Sequence, residues 1–169
     1  TDYTYENIDV EKSILTKVND VELQDYQYRD EDDVIRVASD CDVLIVQYSK
    51  ITRRVIENLN NCKAIIRYAI GVDNIDLEAA TEKGIYVVNV PDYGIDEVST
   101  YALMLILAVG HKLPQTVDAV QKGKWDYAVT KPLHRTKGQQ IGLVGFGRIP
   151  QEVAKKLGGF GFEIVALTE

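Results

Sequence analysis

Short, continuous apolar runs alternate with amphipathic segments along this chain. Val43–Val46, inside Asp42-Val-Leu-Ile-Val-Gln, is brief and β-branched, as expected of a strand covered on both faces. Ala64-Ile-Ile-Arg-Tyr and Ile85-Tyr-Val-Val-Asn-Val, the latter closed by Pro91, repeat the pattern. Between them lie segments of helical spacing. Ile8 to Val18 carries apolar residues at 8, 10, 14, 15 and 18, and Glu31 to Ala38 follows. Ile51 to Leu59 has Thr52 as its N-cap, and a helix through Glu82 is capped by Asp76 and stopped by Gly84. Val21-Glu-Leu-Gln reads as a short strand. Strand and helix in alternation predict an α/β fold with a mostly parallel, flavodoxin-like sheet. Such a sheet begins with a strand ahead of its first helix, so that strand is expected to lie outside the residues given.

From Glu97 the pattern changes. Glu97 to Lys112 is a helix with apolar residues on almost every side, which predicts enclosure by protein all round. A short helix follows Pro114, and Gly123-Lys-Trp-Asp-Tyr leads into a polar loop through Lys137. Then come a strand at Gln140-Ile-Gly-Leu-Val, a turn at Gly145-Phe-Gly-Arg-Ile-Pro, a helix over 151–157 and a strand at Glu163-Ile-Val-Ala-Leu. Two strands cannot bury the faces of such a sheet, so this domain is expected to continue past Glu169.

Charge sharpens the division. The net charge is −7, with the acidic excess inside residues 1–96 and a small basic excess over 97–169. A boundary near residue 96 is therefore expected, and an acidic chain of this kind repels nucleic acid. The most apolar stretch, Tyr101–Val109, is about half of the roughly 18 residues a membrane span needs. The opening residues lack the basic and apolar regions of a signal peptide, so a soluble, cytoplasmic protein is expected. Cys41 and Cys62 each adjoin a strand-like run and read as reduced, packed thiols, without the spacing of a metal site.

The strand–turn–helix at 140–157 carries the clearest chemistry. Gly145 permits a tight turn, and Gly147 removes the Cβ that would hold the backbone away from a phosphate. The helix start at Arg148 and Ile149 then offers unpaired N–H groups to an anion. A plain βα connection is the competing reading. Two departures from the dinucleotide fingerprint stand out. Pro150 occupies the third glycine position, and the neutral Thr168 stands about 20 residues past the turn, where an acidic residue would accept from ribose hydroxyls. A neutral residue there also admits NADP; the adjacent Glu169 is the alternative acid.

Arg67-Tyr-Ala-Ile-Gly-Val-Asp-Asn-Ile-Asp-Leu-Glu-Ala-Ala-Thr-Glu-Lys-Gly-Ile, followed by Val90-Pro-Asp-Tyr-Gly-Ile-Asp-Glu-Val, resembles the D-isomer-specific 2-hydroxyacid dehydrogenases. The branch it is most similar to holds phosphoglycerate dehydrogenase and the C-terminal-binding-protein corepressors. Gly123-Lys-Trp and Gly145-Phe-Gly-Arg-Ile continue the match in order, so the resemblance spans nearly the whole chain. It implies that residues 1–96 are the first part of a substrate domain and that 97–169 begin an NAD-binding Rossmann domain. By the same resemblance, Ile70 and Gly71 present backbone N–H groups to a substrate carboxylate close to the nicotinamide, and Arg67 faces that carboxylate. Arg67 as a surface ion-pair partner is the alternative. Gly145, Gly147, Arg148, Ile149 and Thr168 are the implied cofactor contacts, with NAD as cofactor and NADP possible.

The implied chemistry is hydride transfer between nicotinamide and a small 2-hydroxy or 2-oxo acid. Its histidine, carboxylate and arginine would all lie beyond the strand at 163–167, so this chain by itself is expected to be inactive. His111, at the end of the long helix, and His134, in the polar loop, do not match that histidine. The resemblance also implies a homodimer through the region from Glu97 to Lys137. A non-enzymatic NAD-binding or dimerisation module, corepressor-like, is the competing function, and a truncated product without function is a third.

Overall fold

The computed structural model describes residues 1–168. The chain divides into two compact units, one over Thr1–Asp92 and the other from Tyr93 onward, a few residues ahead of the charge break.

The first unit is built on a parallel sheet of three strands in the order β1 (Val43–Val46), β2 (Ala64–Arg67), β3 (Tyr86–Val88). Val43 pairs with Ala64, and Ala64 with Tyr86. Its helices are α1 (Asp9–Leu15), α2 (Glu31–Ala38), α3 (Arg53–Glu57) and α4 (Leu77–Glu82). Local chemistry sets their starts. Asp30, Thr52 and Asp76 each accept a backbone N–H of the first turn, and Gly84, at φ +72°, ends the last helix. Val34, Val46, Val55, Ile56, Leu59 and Ile65 are fully buried, so β1 and β2 lie in a closed core with α2 and α3. This is the flavodoxin-like arrangement.

Residues 1–4 run beside β1: the Thr1 nitrogen donates to the Ile45 carbonyl at 2.6 Å, and Thr1 O accepts from Tyr28 N–H at 2.9 Å. The strand expected at Val21–Gln24 does not form. Val21 is exposed and the segment has no ladder partner, so its two apolar residues have no face to bury. The first helix is also shorter than its periodicity, with Val10, Ile14 and Val18 in solvent.

The second unit holds α5 (Ile95–Gly110), α6 (Leu113–Gln121), a short 3-10 helix (Tyr127–Thr130), β4 (Gln140–Val144), α7 (Arg148–Gly158) and β5 (Glu163–Leu167). Strands β4 and β5 pair in parallel from Gln140–Glu163 to Val144–Leu167, which makes β4-α7-β5 the first βαβ of a Rossmann fold. Val153 and Leu157 of α7 are buried, and Lys156 ties α7 to the start of α5 by donating to Asp96, Ser99 and Thr100. The enclosure expected of the long helix is not found. Of α5 only Ser99 is buried, while Val98, Tyr101, Met104, Leu105 and Val109 are exposed. Its apolar faces exceed what residues 93–168 can cover.

Candidate functional site

Parallel strands send their carboxyl-terminal loops to one end of a sheet, and in the first unit those loops interlock. Arg67, the last residue of β2, is 9% exposed. Its Nε donates to Gln47 O at 3.2 Å, and its Nη1 donates to Gly71 O at 2.7 Å and Asp73 Oδ1 at 2.6 Å. These bonds leave Nη2 unengaged. The guanidinium hydrogen-bonded to Asp73 holds that carboxyl below the usual carboxylate range. Gly71 is tightly placed, since a Cβ there would stand 2.9 Å from Asp73 Oδ1 and 3.4 Å from Arg67 Nη1. The loop segment of Ala69 and Ile70 is fixed from the other side: Val90 N–H donates to Ala69 O at 3.0 Å, and Asn89 Nδ2 to Ile70 O at 2.6 Å.

The loop after β1 is held by a residue with no sequence signal. Asp2, fully buried, accepts from the N–H groups of Gln47, Tyr48 and Ser49 at 3.0, 2.8 and 3.3 Å and from the Ser49 hydroxyl at 2.9 Å. Burial alone would raise its pKa; the four hydrogen bonds prevail and hold it below the ordinary value. Asn74 Nδ2 donates to Ser49 O at 2.8 Å, and Ile51 exchanges backbone bonds with Asn74 and Asp76. The path Asp2, loop 47–49, Arg67, Gly71–Asp73 is therefore continuous.

Beside it opens a cleft of ≈ 580 Å³, lined among others by Tyr48, Lys50, Thr52, Arg67 and Asn74. With Asp76 occupied in capping α4 and Asp73 by Arg67, Lys50 and the free edge of Arg67 are the groups there able to take an anion. Sequence reasoning singled out Arg67, Ile70 and Gly71, which the structure brings together. It assigned nothing to Asp73, Asn74, Tyr48 or Lys50, although Asp73 and Asn74 stand inside the quoted motif.

In the second unit, Gly145 has φ +87°, a conformation that suits glycine, and its N–H closes the turn on Leu167 O at 2.8 Å. Gly147 is the N-cap of α7, with no side-chain cap. A Cβ on either glycine would meet nothing within 4 Å. The protein leaves this space open, and the N–H groups of Arg148 and Ile149 have no intrahelical acceptor. Gln151 Nε2 steadies the turn by donating to Phe146 O at 2.8 Å. The helix begins three residues earlier than its apolar pattern suggests, which puts Pro150 in the first turn, where its missing N–H is not needed. A hollow of ≈ 560 Å³ adjoins Gly145, Phe146, Leu167 and Thr168. Thr168 is exposed at the end of β5, and Glu169 lies outside the described residues. An eleven-residue helix with an uncapped start beside a glycine turn fits a pyrophosphate. His111 and His134 are exposed.

Comparison with known proteins agrees with this fold. Residues 4–141 match the family model described as D-isomer specific 2-hydroxyacid dehydrogenase, catalytic domain. A D-3-phosphoglycerate dehydrogenase of Methanocaldococcus jannaschii is 40% identical over 153 residues, covering 90% of this chain and 29% of that protein. A hydroxypyruvate reductase of Thermotoga maritima is 37% identical over 141 residues, covering 83% and 46%. Among solved structures, an acyclic imino acid reductase in complex with NADPH and D-Arg superposes with a TM-score of 0.87 at 28% identity, covering 99% of this chain and 54% of that one. The chain thus spans about half or less of the length of the proteins it matches. It belongs to the D-isomer-specific 2-hydroxyacid dehydrogenase family.

Proposed function

We propose that these residues are part of an NAD(P)-dependent oxidoreductase acting on a small 2-hydroxy or 2-oxo acid, with residues 1–96 in its substrate domain and 97–169 in its nucleotide domain. The observation that carries this reading is the open glycine turn between β4 and α7, in a chain of this family. When bound, a nicotinamide supplies the hydride acceptor or donor. The backbone N–H groups of Arg148 and Ile149 receive the pyrophosphate, Gly145 and Gly147 let it approach, and Thr168 meets the adenosine ribose. Lacking a carboxylate, Thr168 does not repel a 2′-phosphate, and the imino acid reductase that the chain superposes on is a complex with NADPH.

Arg67 Nη2 and the backbone of Ile70 and Gly71 orient the substrate carboxylate, with Ile70 also against the nicotinamide. Asp73 keeps the guanidinium fixed, so little ordering cost remains when the acid binds. Neither His111 nor His134 matches the family's histidine, so proton transfer falls to residues outside this sequence and the 169 residues alone are inactive. The exposed apolar residues of α5 and α6 would then be covered by a second copy, giving a homodimer in the cytoplasm.

The test is nucleotide titration and turnover. Both this chain and the whole gene product are expected to bind NADH or NADPH, and Gly147→Val to weaken binding about tenfold or more. Reduction of a 2-oxo acid is expected only from the whole product. Turnover by the 169 residues would overturn the assignment of the proton-transfer groups. Failure of both proteins to bind nucleotide, with a dimer still present, would favour the non-enzymatic module.

A further inference from the structure

The opposite, amino-terminal end of the first sheet holds a second chemical feature that the proposed reaction does not use. Cys41 precedes β1 and Cys62 precedes β2, each two residues ahead of the first paired positions, Val43 and Ala64. Lys63 N–H donates to Asp42 O at 2.8 Å and Asn60 N–H to Ser39 O at 2.7 Å, which keeps the two approach segments side by side. Neighbouring strands stand about 4.8 Å apart. That spacing falls inside the range of about 4.4–6.8 Å between Cα atoms that a disulfide accepts. The two thiols perturb each other's titration, and Cys62 Sγ donates to Ala64 O at 3.3 Å. Cys62 is 9% exposed and Cys41 only partly buried, so a small reagent reaches the pair from the Cys41 side.

We infer that Cys41 and Cys62 are a redox-active dithiol, which hydrogen peroxide closes reversibly to an intramolecular disulfide. The two sulfurs are not equivalent. The neighbouring Cys41 thiol, opposed by burial and aided by the backbone at Ala64 and Leu44, draws Cys62 down to about 7. The Cys62 thiol and burial push Cys41 up. Cys62 is therefore the thiol that ionises first, and it is the nucleophile.

Its thiolate attacks one peroxide oxygen and the O–O bond breaks, leaving a sulfenic acid on Cys62 and a hydroxide that becomes water with the proton Cys62 had released. The Cys41 sulfur then attacks the sulfenic sulfur. An S–S bond forms, the S–O bond breaks, and the departing hydroxyl takes the Cys41 proton as a second water. Two thiols lose two electrons and one peroxide is reduced. The bond staples segment 39–42 to segment 60–63, at the far end of the sheet from the Arg67 cleft, so it acts on the stability of this unit and not on substrate contacts.

The experiment is peroxide treatment of the native protein, alkylation of remaining thiols, trypsin digestion and mass spectrometry. The expected product is the peptide Val37–Lys50 linked to Val55–Lys63, formed within one chain and released by dithiothreitol. In Cys41→Ser the linked peptide is lost and Cys62 proceeds to sulfinic acid; in Cys62→Ser the remaining Cys41 stays unmodified at the same dose. Unlinked, alkylatable cysteines in the treated wild type, or links only between chains, would overturn the inference. So would a Cys41 that oxidises in the absence of Cys62.

Discussion

The two units of this chain use similar apolar content to opposite effect. In residues 1–92, Val46, Ile51, Leu59 and Ile65 are 0% exposed, whereas in β4 and β5 Val144 is 89% and Leu167 68% exposed. Both sheets are parallel, and their strands read alike along the sequence. What differs is cover: three strands with α2 and α3 packed on them close a core, while two strands with one packed helix leave most of their side chains in water. A buried-strand sequence therefore states a requirement for cover, which the residues at hand need not meet.

Paired truncations break or sharpen that contrast most strongly. Leu59→Ala is expected to cost about 2–5 kcal/mol of unfolding free energy, because the cavity it leaves lies in a packed core. Leu167→Ala is expected to stay within about 0.5 kcal/mol, as at an ordinary surface position. Urea denaturation of both variants by circular dichroism measures the difference; equal costs would mean that β5 is covered in solution.

Removing Asp2 should rank next. Asp2→Ala leaves three backbone N–H groups without their acceptor, while the Ser49 hydroxyl keeps Tyr28 O, and should cost about 2–4 kcal/mol. Asp2 also sets a pH dependence within the first unit. Its folded pKa lies below the unfolded value near 3.9. The stabilisation is therefore complete above that value and is lost as the pH falls through the lower folded value. Wild type and Asp2→Ala should accordingly converge in stability as the pH drops below about 4. A constant gap between their acid denaturation curves would contradict the assigned role.

A smaller effect is expected at Lys156, the polar tie of the second unit. Lys156→Met keeps the aliphatic stem and removes the donor to Asp96, Ser99 and Thr100. Asp96 is well exposed and regains water, so the cost should be about 1–2 kcal/mol. Hydrogen exchange should show it as faster opening of α5 and α7, with the core amides of β1 and β2 unchanged.

How much of this was legible follows from sequence distance. The strands at 43–46, 64–67 and 163–167 and the caps Thr52 and Asp76 depend on residues within a few positions of one another, and all appear in the structure. So does the glycine turn, because strand, turn and helix are contiguous. The Asp2 nest depends on bonds across 45 to 47 positions, and a single aspartate near a chain start carries no pattern to reveal it. Asp73 was visible within its motif, but its pairing with Arg67 needed the loop's curvature. Periodicity placed α1 but overran its end, and it misled at Val21–Gln24, where no strand forms. For α5 it placed the helix, but the enclosure that its apolar residues predicted is not found among the described residues.

The smallest effect on stability separates the two candidate loops most directly. Gly71 and Gly147 both stand in loops that follow parallel strands, yet only Gly71 is hemmed in by the chain's own atoms. In Gly71→Ala the new methyl confronts Asp73 Oδ1, and Asp73, with its side chain 85% exposed, can turn into water. Arg67 cannot follow, because Gln47 O holds its Nε. The fold should lose little, because Asp73 meets water and Arg67 keeps its bonds to Gln47 O and Gly71 O. The Asp73 carboxyl, freed from the guanidinium, should titrate closer to its ordinary value, an upward shift that NMR titration can follow. Gly147→Ala meets no atom and replaces a flexible residue at extended backbone angles, so stability should hold steady while nucleotide binding weakens. If Gly147→Ala instead destabilised the chain with binding intact, the open space at the turn would serve packing and the two loops would be alike. A stable protein with weakened nucleotide affinity means that the first loop is shaped by its own side chains, and the second by a ligand that the sequence leaves room for.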